Sequence, residues 1–130
     1  MEIVNPLTPE EAKLWQQSWD AQQQGYMPDR EERFAYMIGL LGCLGEQMRV
    51  LDLACGCGSL SKRVLHKYPS ATVVGVDVDP VLLAIYGACF AADERAACVA
   101  ADLERPDWRA DDLLSKPASF DAIITATALH

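Results

Sequence analysis

Positive charge is scarce in this sequence. Its 130 residues carry 11 Lys and Arg against 19 Asp and Glu, a formal net charge of −8. A surface of that sign repels polyanions, which argues against duplex nucleic acid or an anionic membrane as partner and favours a neutral or cationic ligand. Long apolar runs are missing as well. The longest uncharged, mainly apolar stretch, Val81 to Ala92, falls short of the roughly 20 residues that a membrane span needs. The start, Met1-Glu2-Ile3-Val4-Asn5-Pro6, has neither the basic flank nor the apolar stretch of a secretory signal. Histidine is rare: His66 and His130 show no metal-ligand spacing, so no metal site is expected. Five cysteines, an odd count without a secretory signal, read as reduced thiols in a cytoplasmic setting. What is present is ordinary for a folded chain. Hydrophobic residues make up 51% and charged residues 23%, enough to bury a core and too apolar for a disordered segment.

Two helices are expected first. Thr8-Pro9-Glu10-Glu11 offers a cap, a first-turn proline and the acidic member of a capping box. That helix is predicted to run to about Gln24, with Gly25 as its stop. A second begins after Pro28, with Asp29 as cap, Phe34, Met37, Ile38 and Leu41 at helical spacing, and Gly45 closing it. The texture changes at Arg49. Val50 to Ala54, Ala71 to Asp77, Ala96 to Ala101 and Phe120 to Thr125 read as short buried strands. Between them, Ser59 to Tyr68 and a segment from Asp79-Pro80 through about Phe90 read as helices. Strands alternating with helices predict βαβ units and a parallel sheet covered on both faces, a Rossmann-like three-layer α/β sandwich. Residues 1–48 are expected to form an N-terminal helical cap and residues 49–130 the core.

The most informative segment is Asp52-Leu53-Ala54-Cys55-Gly56-Cys57-Gly58-Ser59, a glycine-bearing loop between a strand and a helix. Glycines there permit a tight turn and close approach of the backbone to a ligand. The next strand ends in Asp77, 21 positions after Gly56. In nucleotide-binding βαβ units an acidic residue at about that distance takes the ribose hydroxyls. The dinucleotide fingerprint is incomplete, because its third glycine position is Ser61. Asp52, four residues before Gly56, would also repel a pyrophosphate. It suits a ligand with an ammonium and a sulfonium, such as S-adenosylmethionine (SAM).

Val50 to Gly58 resembles motif I of the class I SAM-dependent methyltransferases. Val74-Gly75-Val76-Asp77-Val78-Asp79-Pro80 is similar to their acidic-strand motif, Ala101-Asp102-Leu103 to their third motif, and Phe120 to His130 to their fourth. The resemblance implies a cofactor site built from Asp52, Ala54, Cys55, Gly56, Gly58, Asp77, Val78, Asp102, Leu103 and Thr125. By it, Asp52 meets the methionine ammonium and the backbone of Cys55 to Gly58 cradles the methionine portion. Asp77 takes the ribose, Val78 packs beside the adenine, Asp102 approaches its amino group and Leu103 lines the ring. The implied product is S-adenosylhomocysteine (SAH), and a small-molecule acceptor is expected. The family's sheet has seven strands with the first four ordered 3-2-1-4, so this chain corresponds to the SAM-binding half. A gene fragment is the preferred explanation; one half of a split enzyme and a homodimer through the exposed fourth strand are the others. The alternative function is a SAM- or SAH-binding module that is inactive until completed. A nucleotide-linked oxidoreductase is disfavoured by Asp52 and the absent third glycine.

Other residues carry plainer expectations. Cys55 and Cys57 read as small residues tolerated in the loop, and the remaining cysteines as core. Lys62, Arg63 and Lys67 read as a solvated helix face. Tyr26, Met27 and Arg33 read as helix packing or exposed positions, although the cap could bring them over the ligand. Trp108 reads as a packing anchor, and Asp93-Glu94-Arg95 and Asp111-Asp112 as exposed loop charges. His130 falls where an acceptor-facing general base would stand.

Overall fold

The computed structural model describes residues 6–115 and 120–126. The chain opens with helix α1 (Pro9–Tyr26) and helix α2 (Arg30–Leu41), followed by a 3₁₀ turn at Gly42–Leu44. Strand β1 (Arg49–Leu53), helix α3 (Ser59–Lys67), strand β2 (Thr72–Asp77), helix α4 (Pro80–Cys89), strand β3 (Ala96–Ala100), helix α5 (Asp112–Ser115) and strand β4 (Ala122–Thr125) complete it. The four strands form one parallel sheet in the order β3-β2-β1-β4, flanked by helices in the Rossmann-like manner. Among the described residues, no helix is long and apolar enough to cross a membrane.

Local chemistry explains most boundaries. The Thr8 hydroxyl accepts from Glu11 N at 3.1 Å and starts α1. Gly25 does not stop that helix, which runs on to Tyr26. A glycine inside a helix costs only about 1 kcal/mol, whereas Pro28 forces its predecessor out of helical geometry, and Met27 sits at φ −133°, ψ 86°. Asp29 does not cap α2 with its side chain; its carboxylate instead takes Arg33 Nε at 2.8 Å. Asp79 does cap α4, accepting from Val81 N and Leu82 N. Helix α5 was not foreseen and brings the buried Leu114 from a segment expected to be loop.

The strands alternate between two apolar layers, as side chains with a period of two must. Val50, Val73 and Ile124 join Leu60, Val64 and Leu65 of α3, and Phe34, Ile38 and Leu41 of α2. Leu51, Val74, Val76 and Val99 form the other layer with Leu114, against which Trp108 packs. Helix α1 packs on α4 through Ala12, Ile85 and Ala88. β4 is an edge of this sheet, and its Ile123 is 63% exposed.

Three expectations about side chains need correction. Cys43 is exposed on the 3₁₀ turn and is not core. Arg95 is not an idle loop charge: it pairs with Asp93 and donates Nη1 to the carbonyls of Leu65 and Pro69, both at 3.0 Å, tying the turn before β3 to the end of α3. Lys62 and Arg63 are not a free solvated face. Both reach Asp20 of α1 at 3.4 Å, and Arg63 also pairs with Glu31 of α2.

Asp20 is the centre of that seam, since it also takes Arg30 Nη1 at 2.9 Å. Burial pushes its carboxyl up, but the Ser59 hydroxyl and the cations Arg30, Arg63 and Lys62 outweigh it and hold it below the usual range. Its folded-state value is lowered, so the stability it contributes is present above about pH 4 and is lost as the pH falls further. Asp20→Asn keeps an acceptor for Arg30 and removes the charge. We expect a loss of about 1–2 kcal/mol at neutral pH and a shallower acid transition in urea unfolding curves. Equal midpoints for both proteins at pH 3 and pH 7 would show the seam to be inert.

Candidate functional site

The site grows from the loop after β1. Ala54, Gly56 and Gly58 take φ of +53°, +56° and +92°, so the chain turns sharply between Leu53 and the start of α3. The loop is pinned to β2, because Cys55 N donates to Val76 O at 3.0 Å. Gly75 in β2 makes room for Cys55: a Cβ there would lie 2.7 Å from its Sγ. Burial pushes the Cys55 and Cys57 thiols up and keeps them protonated, which fits packing residues and not nucleophiles.

Asp77 closes the loop from the end of β2. Its Oδ2 accepts from Gly56 N at 2.8 Å, and its Oδ1 from Val78 N at 2.7 Å and Asp79 N at 2.9 Å. One carboxylate thus fixes the glycine loop against the start of the α4 turn. The signal for this was in the sequence: the spacing from Gly56 to Asp77 is what brings them together.

Asp52 lies one strand over, 2% exposed, in register with Gly75. Its Oδ2 accepts from Ser61 Oγ at 2.7 Å, and Ser61 Oγ in turn lies 3.1 Å from the Tyr86 hydroxyl. Burial pushes the Asp52 carboxyl up to about 7, against the hydrogen bonds from Ser61, and the Asp77 charge adds to the rise. Ser61 fills the position where a dinucleotide loop has its third glycine. It is not a mere substitute, since it orients the buried carboxyl.

Two cavities flank this framework. One, of about 170 Å³, is lined by Asp52, Ala54, Cys55, Gly56 and Asp77, and on its cap side by Trp19, Gln23, Arg30 and Phe34. The other, of about 380 Å³, is lined by Val78, Asp102, Leu103 and Glu104. Ala54 and Asp77 belong to both walls. Joined, they reach the size of a small-molecule site, roughly 300–1,000 Å³. Val78 is 65% exposed beside the second cavity. Asp102 Oδ1 accepts from Glu104 N at 2.9 Å, which shapes that rim.

Two of the expected site residues stand apart. Gly58 borders neither cavity; the space beside it is filled by the rings of Tyr86 and Phe90. Thr125 does not line them either, although its neighbour Ala126 reaches the smaller one. Its Oγ1 is buried without a hydrogen-bond partner among the described residues. His130 lies outside the described residues. Tyr26 is 75% exposed, and neither it nor Met27 or Arg33 lines these cavities.

The cap contributes residues that sequence reading missed. Gln16 is 2% exposed and donates Nε2 to Cys57 O at 2.8 Å, so α1 satisfies a carbonyl of the glycine loop. Trp19, Gln23, Arg30 and Phe34 meet the cavity because α1 and α2 dock on α4 and α3. A buried Gln16 on an otherwise exposed stretch of α1 is the kind of departure that periodicity alone does not reveal.

The chemistry of the donor set is specific. A buried carboxyl, a backbone-pinned carboxylate and a guanidinium surround the smaller cavity, with an apolar shelf at Val78 and Leu103 beyond. That arrangement fits a ligand with an amino-acid end, a ribose and a flat ring, and it fits a pyrophosphate poorly.

Comparison with known proteins agrees. A family model described as a methyltransferase domain matches residues 50–130. A curated trans-aconitate 2-methyltransferase of Methylobacterium nodulans is 37% identical over 68 residues, which is 51% of this chain and 26% of that protein. The chain therefore spans about a quarter of that relative's length. The crystal structure of a TehB-like SAM-dependent methyltransferase from Corynebacterium glutamicum covers 92% of this chain and 56% of its own, with a TM-score of 0.56 and 24% identity. That of the SAM-dependent methyltransferase SibL in its apo form covers 85% and 30%, with a TM-score of 0.61 and 22% identity. Both share this fold.

Proposed function

Because the chain belongs to the methyltransferase domain family, we propose that it binds SAM across the two adjoining cavities and serves methyl transfer to a small-molecule acceptor, leaving SAH. The observation that carries this reading is the convergence of Asp52, Asp77 and the Ala54–Gly56 backbone on one cavity. When bound, the cofactor supplies an electrophilic methyl carbon on a sulfonium. Asp77 takes the ribose hydroxyls, with its orientation already set by three backbone N–H groups. Asp52 takes the ammonium, and Val78, Asp102 and Leu103 line the adenine end. The chain's contribution is to hold the amino-acid end and the ribose at fixed places, so that the reacting groups meet in line. The net charge of −8 favours a small molecule over a nucleic acid as acceptor. The curated relative is likewise named for a small molecule, trans-aconitate.

Titration with SAH, with NADH as control, tests the cofactor. We expect SAH to bind and NADH not to; the opposite result would overturn the reading. The pH profile adds a sharper test. Asp52 must be ionised to hold an ammonium, and its carboxyl titrates near 7. SAH affinity should be full above about pH 7.5 and fall about tenfold per pH unit below 7. In the free protein the sign is reversed. The folded state keeps a proton that the unfolded chain releases, so this group makes folding less favourable as the pH rises from about 4 to 7. Asp52→Asn should flatten both profiles. An unchanged slope in the variant would remove Asp52 from the ammonium site.

A further inference from the structure

Helices α2 and α3 leave a groove of about 440 Å³ between them. Phe34, Ala35 and Ile38 of α2 give it an apolar side, and Lys62, His66 and Lys67 of α3 give it a basic one. Each set recurs at helical spacing, so each presents one face of its helix. The volume falls in the range of small-molecule sites, roughly 300–1,000 Å³.

The charge beside this groove opposes that of the chain, which is −8 overall. Arg63 is held by Glu31 and Asp20, and Asp20 also draws Lys62 and Arg30. His66 and Lys67 are exposed, and their side chains have no hydrogen-bond or ion-pair partner among the described residues. With Lys67, four cations stand against two carboxylates along the seam and groove. An exposed lysine is ordinary in itself. Beside an apolar wall it suits a molecule with one apolar and one anionic end, because burying the apolar body adds to a charge-assisted hydrogen bond.

The basic end of the groove lies away from the cofactor cavity. Ser59 lines that cavity at the start of α3, and Lys67 follows eight residues later, about 12 Å along the helix axis. An anion held at Lys67 is therefore remote from the reacting atoms of the proposed methyl transfer. The two spaces still share a wall, since Phe34 borders both.

We propose that this groove is a second ligand site, for a small organic acid whose apolar body lies on Phe34, Ala35 and Ile38 and whose carboxylate meets His66 and Lys67. It goes beyond the SAM reading and does not rest on it.

The test is amide chemical-shift mapping by NMR on the full chain. The probes are 4-phenylbutyrate, its neutral isostere 4-phenylbutyramide, and acetate, a carboxylate without an apolar body. We expect 4-phenylbutyrate to bind with a Kd below about 1 mM and to shift the amides of Ala35, Ile38, His66 and Lys67 most. The amide should bind about five- to tenfold more weakly, and acetate should not saturate. These comparisons use wild type alone. Lys67→Gln should weaken the acid to the level of the amide, and Ala35→Glu, which brings bulk and a like charge to an exposed helix position, should abolish binding. A thermal melt of each variant checks that it folds. Equal affinity for acid and amide would overturn the proposal, as would the absence of saturation with any probe. So would shifts centred on Gly56, Asp77 and Val78, which would put the probe in the cofactor cavity. Shifts at the groove that follow protein concentration and ignore the probe would assign it to a second copy of the chain, and the proposal would fail. None of these outcomes depends on SAH, so failure of the cofactor reading is read separately.

Discussion

Asp77→Ala is expected to abolish measurable SAH binding and to loosen the glycine loop at the same time. The carboxylate accepts from the backbone N–H groups of Gly56, Val78 and Asp79. Removing it leaves these donors to find water or stay unpaired, at about 1–3 kcal/mol for each one that remains buried. It also removes the group proposed to hold the ribose hydroxyls, where hydrogen bonds to a charged acceptor contribute about 1.5–3 kcal/mol. Direct contacts alone therefore account for roughly a ten- to hundred-fold loss of affinity, and loop disorder adds to it. Asp77→Asn separates the two effects. Its amide can serve Val78 and Asp79 or Gly56, but its NH₂ must then face a backbone donor on the other side. We expect Asp77→Asn to melt a few degrees below wild type and still lose SAH about a hundred-fold. A variant with wild-type affinity would exclude Asp77 from the ribose site.

The second large effect is on folding. Gly58 sits at φ +92°, where an L side chain costs about 1–2 kcal/mol. A Cβ there would lie 2.7 Å from Phe90 Cε2, 2.8 Å from Tyr86 Cδ2 and 2.9 Å from Tyr86 Cε2. Those rings pack together at 4.8 Å between centroids, and Tyr86 is 1% exposed and tied to Ser61, so neither can retreat without loss. Overpacking of this kind adds about 1–3 kcal/mol. Gly58→Ala should therefore lose about 2–5 kcal/mol, a fall in Tm on the order of 10–20 °C by calorimetry. Gly56→Ala is the control. Its φ is +56°, but the nearest atom to a Cβ, Leu82 Cδ1, is 3.7 Å away. Ala54 already tolerates φ +53° in the same loop. Gly56→Ala should cost about 1–2 kcal/mol. If Gly58→Ala melts within a few degrees of Gly56→Ala, close packing is not what fixes glycine at position 58.

These two glycines show how far a sequence can be read. The strand, the glycine loop, the helix and the distant Asp77 follow one another at fixed spacing, so the framework was legible. So was the sheet order 3-2-1-4, once the four motifs had been matched in sequence. The roles within the framework were less legible. Gly58 reads as part of a backbone cradle, and the structure adds that the space a side chain would take there is filled by the rings of Tyr86 and Phe90. Ser61 looked like a missing glycine, and it holds Asp52. Gly25 looked like a stop, but Pro28 and the extended Met27 end α1.

The alternation of apolar strands and capped helices determines the parallel sheet, because buried strands and amphipathic helices have few ways to cover each other. The spacing from Gly56 to Asp77 determines that a carboxylate meets the loop, since a βαβ unit of that length leaves little freedom. Only the tertiary structure decided what the cap does. Gln16, Trp19 and Arg30 lie 41, 38 and 27 residues before Cys57 in sequence, and no local pattern relates them to the loop. Gln16 reaches the loop, and Trp19 and Arg30 the cavity beside it, because α1 docks on α4 and α2 on α3, with Asp20 gathering Arg30, Lys62 and Arg63 at the seam. Helix docking is set by long-range packing and charge neutralisation, which depend on where surfaces meet in space and not on the order of residues along the chain.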